Sequence, residues 1–312
     1  MQLYGIIVAI SLFGAILCSA MLSKEKLFTV LSFWGKAVFI SFVCARLYFV
    51  LINISYYTVE IASPKSMLFF WEGGMSLFGA VFGIILVCIF ENKNDFHSFS
   101  KFVNAVAISS FVFLFGMRLA EAFAKIGKDE TVLGIGKIID VQNSMFVIHN
   151  GLFSQLAIYR LEACFAALAV IALLLLFFKW QEEPKPYIAY TALALLSASQ
   201  IVFESLRNDG HMLVGFVHAQ QILFAILLVV LLCVLYAKLP KNQRIPVYVF
   251  IFVIVVLVGI AFAMEFVVDG RLHLPIANTN PMLRNYCIIG LVSILFFALA
   301  VHFVGKLRKL NQ

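Results

Sequence analysis

Nine long runs of apolar residues determine what this chain can fold into. A helix needs about 20 apolar residues to cross a bilayer, and most of these runs are about that long. Only 12% of the 312 residues are charged, against about a quarter in soluble domains. The candidate spans are residues 3–22, 28–54, 74–90, 99–124, 156–178, 187–207, 214–238, 246–268 and 282–304. The sequence therefore predicts an all-α polytopic membrane protein.

The distribution of lysine and arginine predicts the orientation of these spans. If the N-terminus faces outward, the short loops and the C-terminal tail on the inner side hold most of the basic residues, as the positive-inside rule requires. The outer segments are longer and hold fewer. We therefore predict a multi-pass protein with its N-terminus outside and its C-terminus in the cytoplasm. The net charge of +7 then reflects topology and attraction to anionic lipids, and no nucleic-acid partner is expected.

Two polar segments suggest how the chain is organised. The basic linker 238–246 predicts a boundary between a seven-span body, residues 1–240, and two additional spans, residues 241–312. The longest polar segment, residues 125–155, lies outside in this topology. Alternation around residues 137–148 favours a short hairpin or an interfacial segment there.

The six cysteines stand singly in six different spans, so no metal site is predicted.

Several polar side chains lie within or near the ends of the apolar spans, where a charge costs about 3 kcal/mol at mid-bilayer. They are Arg46, Arg118, Glu121, Arg160, Glu162, Gln200 and Glu204. Arg118 and Glu121 are three residues apart and can pair on one helix face. Glu204 and Arg207 have the same spacing, whereas Arg46 must reach another helix, a lipid phosphate or water. These residues predict either structural pairs and snorkelling ends or a polar cavity, in which arginines would bind a phosphate.

A glycine-rich run at the start of the third span carries the strongest resemblance to a known family. Residues 71–83 read Trp-Glu-Gly-Gly-Met-Ser-Leu-Phe-Gly-Ala-Val-Phe-Gly. This run resembles the Trp-Glu-Gly-Gly-Met-Ser-Phe-His-Gly-Gly signature of the prolipoprotein diacylglyceryl transferases. Five further stretches resemble family motifs in the same order, at residues 44–50, 116–123, 159–163, 204–209 and 217–220. The resemblance covers roughly residues 40–240, and residues 154–156 are a competing register for the motif at residues 159–163.

The resemblance implies a reaction and a set of site residues. The diacylglyceryl group of phosphatidylglycerol would move to the lipobox cysteine thiol of a secreted lipoprotein precursor, in a bacterial cell membrane and without a metal or a diffusible cofactor. The matching catalytic residues would be Arg118, Glu204 and Glu162. The substrate-binding residues would be Arg46, Gly73, Gly74, Gly79, Glu121, Gln200, Arg207 and His218. Glu204 or His218 would supply the base that a thiol acceptor requires.

Three departures from the family pattern keep other functions open. Phe78 stands where the family has histidine, Gln200 where it has arginine, and Glu121 where it has asparagine. The first removes a proton acceptor and the second removes a charge that could bind phosphate. The third adds negative charge beside Arg118. The alternatives are a different lipid or acceptor, a catalytically inactive paralogue that binds lipid or lipoprotein precursor, and a small membrane transporter.

Overall fold

The computed structural model describes residues 2–60, 64–69, 74–91, 99–123, 135–138, 144–150, 153–180, 185–208, 212–272 and 281–310. Each predicted span contains a helix. The helices are α1 (Gln2–Ser23), α2 (Leu27–Ile52), α3 (Leu77–Glu91), α4 (Phe99–Glu121), α5 (Ile158–Lys179), α6 (Tyr187–Leu206), α7 (Ala219–Lys238), α8 (Val247–Val268) and α9 (Pro281–Lys309). Eight helices in the described part are long and apolar enough to span a membrane, and α3 is shorter, with 15 residues. The protein is therefore an all-α polytopic membrane protein.

The helices pack around three clusters of buried apolar side chains. The first core joins α1, α2, α3 and α4 around Phe33 and Phe102. The second joins α4, α5 and α6 around Leu173. The third joins α6, α7, α8 and α9 around Leu232 and Phe303. The predicted boundary at residue 240 falls between α7 and α8, and the third core contains residues from both sides of it.

Helices α2 and α3 pack backbone against backbone because glycine faces the contact. A Cβ on Gly79 would lie 2.5 Å from the Cys44 carbonyl oxygen, and one on Gly83 would lie 2.5 Å from the Cα of Ser41. Small residues allow this close approach in membrane helices, where interhelical packing replaces the hydrophobic effect.

We expect Gly79→Ala to lower the free energy of unfolding by about 1–3 kcal/mol, because the added methyl group overpacks this contact. Gly35→Ala on α2 is the matched control, since a Cβ there meets nothing within 4 Å. Thermal unfolding in detergent, followed by tryptophan fluorescence, measures both variants. Equal unfolding temperatures for the two variants would contradict the packing of α3 on α2.

Two small antiparallel sheets occupy the starts of two predicted spans, so that α5 and α7 begin later in the chain than predicted. Strands β1 (Ile135–Ile138), β2 (Val147–Asn150) and β3 (Phe153–Ala157) form one sheet in the order β1-β3-β2. The hairpin considered for residues 137–148 is not a pairing of β1 with β2, because both strands pair with β3 instead. Since β3 lies within the start of the predicted span, α5 begins only at Ile158.

The second sheet is the hairpin of β4 (Leu213–Val214) and β5 (Val217–His218), which turns at Gly215 with a φ of +67°. Glycine adopts this left-handed conformation without the steric penalty of a Cβ. The predicted span from residue 214 therefore begins as a hairpin, and α7 starts at Ala219.

Candidate active site

Buried polar side chains gather where α4 and α6 end and where α5 and α7 begin. This polar cluster comprises Arg118, Glu121, Glu162, Gln200, Glu204, Arg207 and Gln220, all of which are buried. The helix ends position it, because the chain brings the last turns of α4 and α6 and the first turns of α5 and α7 to the same end of the helix assembly. Six of these seven residues were predicted as site residues.

Arg118 is the centre of one half of the polar cluster. Its Nη1 donates a hydrogen bond to the Oε1 of Glu121 at 2.5 Å, as the spacing of the two residues predicts. Its Nε forms an ion pair with the carboxylate of Glu162. Gln200 donates from Nε2 to the other oxygen of Glu162 at 3.2 Å. Arg118 therefore connects α4 to α5, and Gln200 extends the connection to α6.

Glu204 and Gln220 form the other half, together with Arg207. The Nη1 of Arg207 lies 3.3 Å from the Oε1 of Glu204, again at the predicted spacing. Gln220 donates from Nε2 to the same oxygen at 3.2 Å. The Oε1 of Gln220 accepts from the backbone N–H groups of Leu77 at 2.7 Å and Phe78 at 3.2 Å. One glutamine side chain thus caps α3 and connects it to Glu204.

Two carboxylate oxygens of the polar cluster have an open hydrogen-bonding position. The Oε2 atoms of Glu121 and Glu204 are buried and have no hydrogen-bond partner among the described residues. Leaving a buried acceptor unsatisfied costs about 1–3 kcal/mol, more for a charged group. Ionisable groups at membrane depth that bear this cost are candidates for a functional site. These oxygens can accept a proton or a hydrogen bond from a substrate hydroxyl or thiol.

A long cavity leads to the polar cluster from the apolar interior. Its volume is about 1130 Å³, and residues of α1, α2, α3, α4 and α6 form most of its wall. It follows α4 from Phe99 to Glu121, which is a length of about 33 Å at 1.5 Å per residue. Its lining is mostly apolar, whereas Arg118, Arg207 and Gln220 line it beside Glu121. An elongated apolar cavity with a charged end has the shape and polarity of a glycerophospholipid.

The cavity separates the polar cluster into two layers. Arg118, Glu121, Arg207 and Gln220 line it directly. Glu162, Gln200 and Glu204 are not among its described lining residues. Glu162 contacts Gln200 and Arg118, and Glu204 contacts Arg207 and Gln220. The arginines are thus placed to contact a ligand, and the second layer holds Arg118 in position.

Arg46 lies apart from the polar cluster and makes a different kind of contact. Its guanidinium group donates to the backbone carbonyls of Ser66, Met67, Phe69 and Gly74. Arg46 has no acidic neighbour on its own helix, so it was predicted to find a partner elsewhere. The partners in the structure are backbone carbonyl oxygens. These contacts connect α2 to residues 66–69 and to Gly74. The predicted contact of Arg46 with a phosphate remains a prediction.

Of the remaining predicted substrate-binding residues in the described part of the chain, only Gly74 lines the cavity. Gly74 has a φ of +79°. Gly79 faces α2 and is not among the described residues of the cavity wall. His218 is buried at the end of β5, directly before α7. Gly73 lies outside the described residues.

Phe78, at the position of the family's histidine, belongs to an aromatic cluster. Its ring lies 5.1 Å from that of Tyr48, 6.4 Å from that of Phe82 and 5.5 Å from that of Phe224, measured between centroids. Phe78 is also buried. Its surroundings are therefore apolar, although its backbone N–H donates to Gln220.

Tyr4 and Gln220 were not among the predicted site residues. Tyr4 lines the cavity from α1 and interacts electrostatically with Glu121 and Arg118. A phenol in an otherwise apolar first span is the signal that could have identified it. Gln220 lies in a stretch that resembles a family motif, but its bonds to α3 are tertiary contacts that sequence spacing does not reveal.

The comparisons with known proteins agree with this architecture. The family model of the prolipoprotein diacylglyceryl transferases matches residues 1–238. The phosphatidylglycerol–prolipoprotein diacylglyceryl transferase of Clostridium novyi (strain NT) is 28% identical over 199 residues, which cover 62% of this chain and 74% of the relative. The enzyme of the same name from Thermotoga petrophila is 28% identical over 207 residues, which cover 64% of this chain and 67% of the relative. The family match ends with α7, so α8 and α9 lie outside it.

Proposed function

The chain belongs to the prolipoprotein diacylglyceryl transferase family, and we propose that it moves the diacylglyceryl group of phosphatidylglycerol to the lipobox cysteine of a lipoprotein precursor. The observation that carries this proposal is the apolar cavity that ends at two buried arginines. The family as a whole is a transferase family, and the relatives' names specify both substrates.

The polarity of the cavity orients the donor lipid, with its headgroup at the charged end and its acyl chains along the apolar part. Its acyl chains occupy the apolar length beside α4, and its phosphate lies at Arg118 and Arg207. A guanidinium group stays charged in a partly dry site and binds phosphate through two parallel hydrogen bonds. The glycerol hydroxyls of the headgroup are donors, and the open oxygen of Glu121, a residue of the cavity wall, is an acceptor. The charged end thus recognises both parts of the headgroup.

Transfer requires one bond to form and one to break. The thiolate of the lipobox cysteine attacks the glyceryl carbon that carries the phosphate, so a C–S bond forms as the C–O bond breaks. The electron pair of the C–O bond stays with glycerol phosphate, which leaves. Arg118 and Arg207 stabilise the charge that develops on the departing phosphate. Glu204 accepts the thiol proton at its open oxygen.

The proposed site faces the outer side of a bacterial cytoplasmic membrane. The distribution of basic residues supports this orientation. The polar cluster lies at the C-terminal ends of α4 and α6 and the N-terminal ends of α5 and α7, which are outer ends in the predicted topology. A secreted precursor presents its cysteine on that side.

A reconstituted assay tests the proposed function. The purified protein is placed in vesicles that contain phosphatidylglycerol, and a synthetic lipobox peptide is added. The expected products are a peptide heavier by one diacylglyceryl group and an equal amount of glycerol phosphate. A peptide with serine in place of cysteine is the control. Binding of phosphatidylglycerol without either product would contradict the proposal.

The aromatic cluster around Phe78 favours a second candidate function, a family member that binds the lipid without transferring it. No titratable group replaces the family's histidine at this position. In this case the cavity and the arginines would retain their lipid, and the reconstituted assay would show binding without products.

We expect Phe78→His to raise the rate of transfer at least tenfold, because general acid–base groups contribute about 10²–10⁴ when well placed. The backbone of Phe78 already contacts Gln220, which contacts Glu204. Phe82→His, one turn further along α3, is the matched control and should leave the rate unchanged. The reconstituted assay measures both, and equal rates for the two variants would contradict the expectation.

A further inference from the structure

The two C-terminal helices lie outside the family match, yet they contact the connection that carries Glu204, Arg207 and Gln220. Gln221 donates from its Nε2 to the Oε1 of Glu265 at 2.7 Å. Both residues are buried, Gln221 on α7 and Glu265 on α8. Glu265 is the only acidic residue of α8, whose other residues are overwhelmingly apolar. A carboxylate in such a helix is costly unless it is paired, which makes this bond a candidate for a specific task.

Two more contacts connect the C-terminal helices to the same region. The hydroxyl of Tyr286 on α9 donates to the backbone carbonyl of Ser205 at 3.4 Å, directly beside Glu204. The ring of Phe216, at the turn between β4 and β5, lies 4.6 Å from that of Phe266 on α8. The end of α6, the hairpin and the start of α7 are thus each held by α8 or α9.

Gln220 and Gln221 transmit these contacts to the polar cluster. Consecutive residues of an α-helix point about 100° apart, so the two side chains reach different partners. Gln220 contacts Glu204 and the first amides of α3. Gln221 contacts Glu265. The bond to Glu265 thus holds the first turn of α7 at the residue next to Gln220.

We propose that Glu265 is a positioning residue, which holds Gln221 so that Gln220 connects Glu204 to the start of α3. The C-terminal helices thereby become part of the transfer machinery without contacting the substrate. The effect on the position of Gln220 is independent of the chemistry, and the effect on turnover rests on the proposed function.

The backbone amides of Leu77 and Phe78 report directly on this position. The first N–H groups of a helix have no partner within the helix. In this structure the side chain of Gln220 accepts from both. Their hydrogen–deuterium exchange therefore measures whether Gln220 stays in place, whether or not the protein catalyses transfer.

The experiment compares the full-length protein with Glu265→Leu, Glu265→Gln and Phe252→Leu in lipid nanodiscs. Phe252 lies on the exposed face of α8 and serves as the matched control. We expect Glu265→Leu to raise exchange at Leu77 and Phe78 about three- to tenfold, which corresponds to the loss of one buried hydrogen bond. Glu265→Gln retains an acceptor for Gln221, so its exchange should stay within about twofold of the wild type, as for the control.

A double variant covers the case in which Glu265→Leu does not fold. Replacing both partners, Gln221→Leu with Glu265→Leu, leaves no unsatisfied polar group, and such exchanges are often nearly neutral for stability. The double variant should show the same rise in exchange. Wild-type exchange at Leu77 and Phe78 in a folded single or double variant would overturn the proposal.

The transfer assay separates this inference from the proposed function. Glu265→Leu should lower kcat about tenfold with little change in KM for phosphatidylglycerol, because the lipid contacts the cavity wall and not α8. Glu265→Gln should restore most of kcat. If the wild-type protein itself transfers nothing, the proposed function fails, and the exchange result still decides the positioning role of Glu265.

Discussion

Replacing Arg118 by alanine should lower diacylglyceryl transfer by about 100- to 1000-fold, the effect of removing one donor that stabilises developing charge. Arg118 lines the cavity and pairs with Glu121 and Glu162. Its loss removes a phosphate contact and leaves two buried carboxylates without their cation. Both consequences oppose an anionic donor lipid. The reconstituted assay measures the rate, and binding of fluorescent phosphatidylglycerol measures the affinity.

Two variants control for this expectation. Arg118→Lys keeps the charge but loses the planar fork that reaches two partners at once, so its rate should lie between those of the wild type and Arg118→Ala. Arg160→Ala removes an arginine on α5 whose contacts are Tyr159 and the carbonyl of Met145, outside the polar cluster. It should transfer normally. An Arg118→Ala variant with the wild-type rate would remove the basis of the proposed donor site.

Transfer should be equally sensitive to substitution of Glu204. Comparing Glu204→Gln with Glu204→Ala separates the effect on the transfer rate from the effect on stability. The Glu204 side chain is fully buried, pairs with Arg207 and accepts from Gln220. Both Glu204→Gln and Glu204→Ala remove the proposed proton acceptor, so both should lower transfer at least 100-fold. Glu204→Ala also removes the carboxylate of a buried ion pair with Arg207, which should cost about 3–5 kcal/mol of stability. Glu204→Gln retains an acceptor for Gln220, so its unfolding temperature should fall less.

Glu91→Gln is the matched control for Glu204. Glu91 is also a buried carboxylate in a salt bridge, with Lys36, but it lies at the end of α3 opposite to Gln220. Its loss should leave transfer unchanged. Transfer by Glu204→Gln at a rate near that of the wild type would show that another group, for example His218, accepts the proton.

The helical fold could be predicted from the apolar runs, because a bilayer leaves the backbone no partner outside its own helix. The errors are local, and two of them have the same cause. Residues 156–157, 214 and 217–218 were predicted to belong to spans, but they form strands that pair with neighbouring segments. Hydropathy measures the preference for an apolar environment and does not distinguish such a strand from the first turn of a helix.

The polar cluster could be predicted only where its contacts are local. The pairs Arg118–Glu121 and Glu204–Arg207 follow from helical spacing. Glu162 could be assigned to the site only by resemblance, and its pairing with Arg118 could not be predicted, since the pair joins two helices. Arg46 shows the limit of the argument from charge. Its sequence environment requires a partner, but nothing in it distinguishes a phosphate from the backbone carbonyls that the structure provides.

Complementation tests the central claim most directly. The chain is expressed in bacteria depleted of their own diacylglyceryl transferase, and the mass of a reporter lipoprotein is followed. We predict a gain of one diacylglyceryl group on the lipobox cysteine, with Arg118→Ala as the inactive control. An unmodified reporter, with the protein present in the membrane at normal amounts, would contradict the assignment of transfer to this cavity and its buried arginines.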